Sequence, residues 1–254
     1  MNEPRRYQIL NRDACKYLAI FLMFWGHLFA WRILMKQPDV GVPYSVMPLW
    51  MRIVTHFSII CPPVMFFFVA DGYKYTRDRR KYALRLGIFA LITQPFDWLV
   101  FQPVYGWHTT NVIFTLFFGL LGIMAWESRC KTWQRVLLVA LCCGLSLLLF
   151  SDWMIFGVLF ILFLHGFREK PKARFTAYFS LTLLWLLTGF IGAEFNAGFW
   201  LDKALDLAMM LLAYFCMTTL YNGRKGRHPQ FAKWFFYGFY PVHYLVIRII
   251  TMLT

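Results

Sequence analysis

Acidic side chains are scarce in this sequence. Twelve Asp and Glu stand against 26 Lys and Arg in 254 residues, and charged residues of both signs make up only 15%. A soluble domain carries about 25% charged residues, so the chain has too few to keep its apolar surface in water. It also lacks a Gly-rich phosphate loop, an HExxH pair and a Gly-x-Ser-x-Gly elbow, so none of those motifs supplies a chemistry. The six cysteines form no CxxC and no Cys/His ligand spacing. They read as small reduced packing residues, and no metal is expected. The first apolar run has no small-x-small cleavage site and is longer than a usual signal core, so it reads as a span.

What fills the sequence instead is apolar. Hydrophobic residues make up 60%, aromatics 20%, and mean hydropathy is +0.54. A spanning helix needs about 20 mostly apolar residues. Nine segments qualify or come close: 17–34, 51–70, 84–101, 112–126, 136–150, 153–164, 176–191, 205–221 and 234–253. The sixth is the weakest, and with the fifth it could form a re-entrant hairpin, leaving seven spans. With the N-terminus inside, the inner segments are 1–16, 71–85, 127–135, 165–174 and 222–233. They hold 21 of the 26 basic residues, and everything else holds five. This is the sorting expected of a membrane protein with cytoplasmic Lys and Arg. Trp31, Trp50, Trp98, Trp107, Trp153 and Trp200 mark the outer interface; Tyr73, Tyr75, Tyr82 and Tyr221 mark the inner one. The expected fold is an all-α polytopic transmembrane bundle of about nine spans. Its N-terminus is cytoplasmic, and residues 1–254 form one domain in the plasma membrane. Net charge of +14 is then a topology signal with lipid as the partner, and nucleic acid is excluded.

Ionisable groups inside spans are costly and mark function by default. His27 lies about ten residues past the inner interface, near mid-depth. Lys16 precedes it by eleven residues, three turns plus about 20°, so the two share a helix face about 16 Å apart. A cation at the surface and an imidazole at mid-depth suit a long ligand with an anionic head and a reactive end, as coenzyme A has. Histidine also takes a proton near neutral pH. The plain alternative is a buried histidine bonded between helices. His243 is likewise within a span and could complete the site, orient an acceptor or bond across helices. Arg248 reads as snorkelling.

The segment 70–86 carries Lys74, Arg77, Arg79, Arg80, Lys81 and Arg85 among three tyrosines. It reads as a positive-inside loop, with a cradle for CoA phosphates as the functional reading. Gln94 and Asn111 are expected to face the bundle interior and satisfy one another's helices. Asp152 reads as an N-cap of the sixth span or as a catalytic residue. His56 has a place at an acceptor mouth, while His108, His165 and His228 fall in loops and receive no role.

Several blocks, in order and spacing, resemble one family. They are LNRDACKYLAIFLMFWGHL, FFFVADGYKYTRDRRKYALRLGIFALITQPF, NVIFTLFFGLLGI, DWMIFGVLFILF and LYNGRKGRHPQFAKWFFYGFYPVHYLVI. Over nearly the whole length the chain resembles the TraX family, whose founding members acetylate the N-terminus of conjugative pilin. Where that family often has Asp-His, this chain has Gly26-His27; where it has Glu-Gly, this chain has Asp71-Gly72. The family is similar in turn to multi-pass acyltransferases with an Arg-x10-His motif on their first helix, and Lys16-x10-His27 has that spacing.

The resemblance implies an acetyl-CoA-dependent membrane acetyltransferase. His27 would be the catalytic base with His243 beside it. Lys16, Arg12, Lys74, Arg77, Arg80, Lys81 and Arg85 would stand near the CoA phosphates. The acceptor would be an amine or hydroxyl at or beyond the membrane. A pilin-like peptide and a surface or wall glycan both remain open. The rival from another class is a transporter or lipid-binding subunit with His27 and His243 as a proton relay.

Overall fold

The structure, a computed structural model, describes residues 7–36, 48–105 and 109–253, with backbone alone for 31–36 and 102–105. The Trp31 side chain, Trp107 and His108 lie outside the described residues. Among those described, every named element is helical: α1 (Arg12–Lys36), α2 (Leu49–His56), α3 (Cys61–Tyr75), α4 (Arg79–Tyr105), α5 (Val112–Trp126), α6 (Thr132–Leu148), α7 (Met154–Gly166), α8 (Pro171–Thr188), α9 (Ala197–Phe215) and α10 (Pro229–Leu253). A 3₁₀ turn (Phe57–Ile60) joins α2 to α3, and a π turn (Cys216–Leu220) extends α9. Each of the nine apolar segments falls on its own helical stretch.

Among the described residues, four stretches are long and apolar enough to cross a membrane: Leu49–Tyr75, Arg79–Phe101, Ala197–Leu220 and Pro229–Leu253. Helices α5, α6 and α7 are apolar but shorter. One side of α6 exposes Val136, Leu137, Leu141 and Leu148, each more than half accessible. Water penalises such a face, whereas hydrocarbon does not. This is a membrane protein.

Two compact units are built from the chain. Unit 1 comprises Met1–Val64 with Thr182–Thr254, and unit 2 comprises Met65–Leu181. In unit 2, α5 packs against α4, α6 and α7. Small residues permit this: a side chain at Gly119 would strike Ile161, and one at Gly157 would strike Thr115. Close backbone approach through small residues is the usual device where apolar burial gives no advantage over lipid. Asn111 caps α5, its side chain accepting from the Ile113 amide at 3.0 Å. Its amide nitrogen donates to Gln94 Oε1 at 2.8 Å and to the Ala90 carbonyl at 3.0 Å. The expected Gln94–Asn111 tie between spans three and four is present.

The reading of Asp152 as a cap is corrected. The N-cap of α7 is Trp153, which makes no side-chain capping bond. The α6–α7 turn reverses through left-handed Phe150 (φ 45°), Trp153 (φ 67°) and Met154 (φ 39°), so Asp152 stands out of capping register. Its amide instead donates to the Thr110 carbonyl at 3.0 Å, and its carbonyl accepts from Thr115.

In unit 1, the strand-like residues before α1 pair with those after α9. The Leu10 amide donates to the Leu220 carbonyl, the Asn222 amide to the Leu10 carbonyl, and the Arg12 amide to the Arg224 carbonyl. This fixes the start of α1 beside the segment leading into α10. Helix α1 then packs against α10 on one side and against α2 and the 3₁₀ turn on the other.

Candidate functional site

Lys16 and His27 both meet α10, as their shared face requires. The Lys16 ammonium lies 5.1 Å from the Phe236 ring centre, and the His27 and His243 ring centres are 5.9 Å apart. Phe236 and His243 are seven residues apart, two turns, so they too share a face. Both pairs follow the same order along their helices, so α1 and α10 run in parallel. Two imidazoles from the first and last helices are thereby brought together.

His243 is almost fully buried and tightly held. Its ring stacks on Phe239 (5.3 Å, 2° between planes) and touches Tyr244 at 4.0 Å. Its Nδ1 is 2.5 Å from the Tyr240 carbonyl oxygen, which can only accept, so Nδ1 carries the hydrogen. Nε2 is then a bare lone pair, and it is buried with no hydrogen-bond partner. His27 is half-buried as a residue, although its Nδ1 is buried.

The glycine before His27 has a physical reason. A Cβ on Gly26 would lie 2.8 Å from the Ser58 amide nitrogen and 2.9 Å from the Thr55 carbonyl oxygen. Backbone cannot yield as a side-chain tip can. An aspartate here would push α1 off the 3₁₀ turn, so an acidic neighbour of the imidazole is sterically excluded at this position.

At the N-terminal end of the same two helices lies a cleft of about 410 Å³, lined by Asp13, Tyr17, Arg227, His228 and Phe231 among others. Arg12 Nε pairs with Asp13 Oδ1 at 3.1 Å at this end. The cleft, Lys16 and the imidazole pair thus lie in order along α1.

The cations of the 74–85 segment belong to unit 2, and several have partners there. Lys74 pairs with Glu169 at 3.6 Å, Arg79 with Glu127 at 3.3 Å, and Lys81 with Asp78 at 3.4 Å. Arg85 lies over the Tyr82 ring at 5.4 Å, and Arg77 and Arg80 are exposed. His165, given no role from sequence, is 93% buried. Its Nε2 is 2.7 Å from Glu127 Oε1, and Tyr73 stands edge-on at 5.2 Å. Burial pushes the Glu127 carboxyl up, but the His165 and Tyr73 hydrogen bonds and the Arg79 charge outweigh it, holding Glu127 below the usual carboxylate range. The sequence placed Glu127 and His165 in separate inner segments, and nothing in their spacing joins them.

A second group also escaped the sequence reading. Arg52, His56, Asp202, Lys203 and Asp206 form one ion-pair network in unit 1. Its signal was present: Arg52/His56 and Asp202/Asp206 are both four residues apart, one helix face each. Among the described residues, no cluster of His, Cys, Asp and Glu has the form of a metal site.

The comparisons with known proteins agree on kinship. A relative from Dichelobacter nodosus, named "Probable fimbrial assembly protein FimC, serogroup H1", is 30% identical over 200 residues, covering 71% of this chain and 75% of that one. No solved structure matches. The sequence profile described as TraX protein matches residues 11–251, from the residue before α1 through the last turn of α10, and this chain therefore belongs to the TraX family.

Proposed function

We propose that this protein is a membrane-embedded acetyltransferase moving an acetyl group from cytoplasmic acetyl-CoA to an acceptor at or beyond the plasma membrane. The observation that carries the reading is the pairing of His27 with His243 at 5.9 Å, two turns along α10 from the Phe236 ring that meets Lys16. In this reading the nucleotide end of CoA occupies the inner cleft near Arg12, with Lys16 on a phosphate as a point charge. The pantetheine arm follows α1 towards His27.

His27, the less buried of the two, acts as the general base. It takes a proton from the acceptor as nitrogen or oxygen attacks the thioester carbonyl. The Nε2 lone pair of His243 lies behind it, ready to share that proton. Collapse of the tetrahedral intermediate expels the CoA thiolate, which is protonated. The relative's name speaks of fimbrial assembly, which supports a protein acceptor such as a pilin-like N-terminus over a glycan. A nine-span topology with a cytoplasmic N-terminus places donor and acceptor on opposite sides, and the charge sorting supports it.

The test is acetyl-CoA binding by purified protein in detergent, followed by transfer of labelled acetyl. Saturable binding with transfer is expected. Binding without transfer to peptide or glycan would favour the proton-relay rival, and no binding would overturn the reading. Cysteines placed in 222–233 should react only with cytoplasmic reagent, and those in 192–203 only with external reagent. The reverse pattern would overturn the sidedness.

A further inference from the structure

All thirteen Lys and Arg of unit 2 fall in three stretches, 74–85, 129–135 and 168–174. Folding gathers the three at one end of the unit. Lys74 on α3 pairs with Glu169 in the turn before α8, and Arg79 on α4 pairs with Glu127 after α5. His165, near the end of α7, meets the same Glu127. The other end, where Thr110 pairs with Ser151, holds no Lys or Arg. Asp78, Glu127 and Glu169 are taken up by Lys81, Arg79, Lys74 and Arg168. Arg77, Arg80, Arg129, Lys131, Lys170 and Lys172 are exposed and, among the described residues, make no ion pair. That is two uncompensated cations on each of three turns. Helices α6 and α8 start at this end with no acid in the first turn, so the unit supplies no counter-charge of its own. Like charges gathered on one face repel one another and attract an anionic surface.

Exposed aromatic rings stand beside these cations: Tyr75 at the end of α3, Trp126 at the end of α5, Trp133 at the start of α6 and Phe175 at the start of α8. Such rings settle at the headgroup level of a bilayer. From Trp133 the exposed side of α6 continues through Val136, Leu137 and Leu141 to Leu148. Three zones therefore follow one another along α6: the cations Arg129 and Lys131, an amphipathic ring, then bare hydrocarbon. A soluble polyanion would match the first zone and leave the third uncovered. A neutral phospholipid would cover the third and leave the first unmatched.

We propose that this end of unit 2 binds anionic phospholipid of the inner leaflet, with one lipid seated on α6. Its phosphate lies at Arg129 and Lys131, its glycerol beside Trp133 and its acyl chains along Val136, Leu137 and Leu141. Lys and Arg clustered next to spans recognise anionic headgroups, and the arginine fork gives a phosphate two parallel hydrogen bonds. The remaining turns, with Arg77 and Arg80 and with Lys170 and Lys172, hold neighbouring headgroups in the same way. This goes beyond acetyl transfer and does not depend on it. It makes the unpaired cations of 74–85 lipid contacts, where the sequence alone suggested a cradle for CoA phosphates.

The test reads Trp133 fluorescence in full-length protein reconstituted into phosphatidylcholine vesicles. The Trp133 signal is the difference between wild type and Trp133→Phe. Two quenchers are compared, phosphatidylglycerol and phosphatidylcholine, each brominated on the acyl chain. Brominated phosphatidylglycerol should quench Trp133 at the lower mole fraction, by about fivefold for each cation engaged. Raising salt should erase that preference, since exposed charges are screened over about 3 Å at 1 M. Arg129→Gln with Lys131→Gln should abolish it. Arg224→Gln with Lys225→Gln, which removes the same charge from unit 1, should preserve it. Inorganic phosphate or CoA at matched ionic strength should leave the quenching unchanged. Equal quenching by the two lipids in wild type, or a preference indifferent to salt, would overturn the site without recourse to any variant of the cations. Equal loss in the two double variants would overturn it in favour of diffuse charge, and displacement by phosphate or CoA would overturn it in favour of a soluble anion. Thermal unfolding in phosphatidylcholine vesicles verifies that the variants fold. No transfer of acetyl is measured, so the site stands or falls apart from the acetyltransferase reading.

Discussion

Unit 2 buries Gln94, Asn111, Thr115, Ser146 and Ser151, each at 6% exposure or less, and ties them to one another and to backbone carbonyls. All five are neutral, and their bonds close the gaps between α4, α5, α6 and α7. Unit 1 buries His56, His243, Arg52 and Asp206 and half-buries His27, groups that gain or lose protons or carry charge. A neutral amide network satisfies helices at low cost and does nothing else. A buried ionisable group costs more than a neutral amide, which makes it the place to test for chemistry. Among the described residues, unit 2 also holds ionisable groups, Asp97 within 3.3 Å of the Gln94 amide and the Glu127–His165 pair among them.

The comparison breaks hardest at His27. His27→Ala should lower acetyl transfer by about 10²–10⁴-fold, the contribution of a positioned general base, while CoA binding survives. Near-normal turnover in the purified variant would make the imidazole pair another packing feature. In unit 2 the matching substitution is Asn111→Leu. It removes the side-chain bonds to Gln94 Oε1 and the Ala90 carbonyl, leaving Gln94 Oε1 only the backbone amide of residue 111, and it removes the cap of α5, costing about 1–3 kcal/mol in all. Thermal unfolding should shift down while the KM of the remaining folded protein stays unchanged. A changed KM with unchanged stability would show that unit 2's network touches the ligand.

How much of this was legible depended on whether partners lie on one helix. Lys16 and His27 share α1, so the period alone predicted their common face, and contacts with α10 agree with it. Gln94 and Asn111 were found because two polar residues near facing span ends have few other partners. The His56 network needed α2 and α9 side by side, 150 residues apart in sequence for Arg52 and Asp202, and no local pattern carries that pairing. The packing of Gly26 on Ser58 was invisible for the same reason: a missing side chain gives no signal until its neighbour is placed. Asp152 failed because a cap assumes an ordinary turn, and three left-handed residues make this one otherwise.

A smaller effect sharpens the contrast within unit 1. Lys16→Glu should weaken CoA binding roughly 10-fold, since a charge-assisted hydrogen bond is worth about 1.5–3 kcal/mol. Lys16→Arg should keep or improve it, because the guanidinium adds donors for a phosphate. Equal affinity of both variants by equilibrium dialysis would leave Lys16 a topology signal only.

The smallest expected effect concerns Glu127, outside the spanning segments. Its carboxyl is held below the usual range: burial works against this, and the bonds from His165 and Tyr73 with the Arg79 charge prevail. A carboxylate whose folded pKa is depressed contributes stability that is present above its unfolded value, about 4.3. That contribution fades as pH falls through the lower folded value. Wild type should therefore lose melting temperature on acidification below about pH 4. Glu127→Gln keeps an acceptor for His165 but cannot ionise, so its melting temperature should start lower and fall less over the same interval. The group is partly exposed, which screens the interaction and keeps the difference small. Parallel melting curves for the two proteins from neutral pH downward would show that this pair contributes nothing. The ionic exception in unit 2 would then be as inert as its neutral amides, and the division between the two units would be sharper than drawn above.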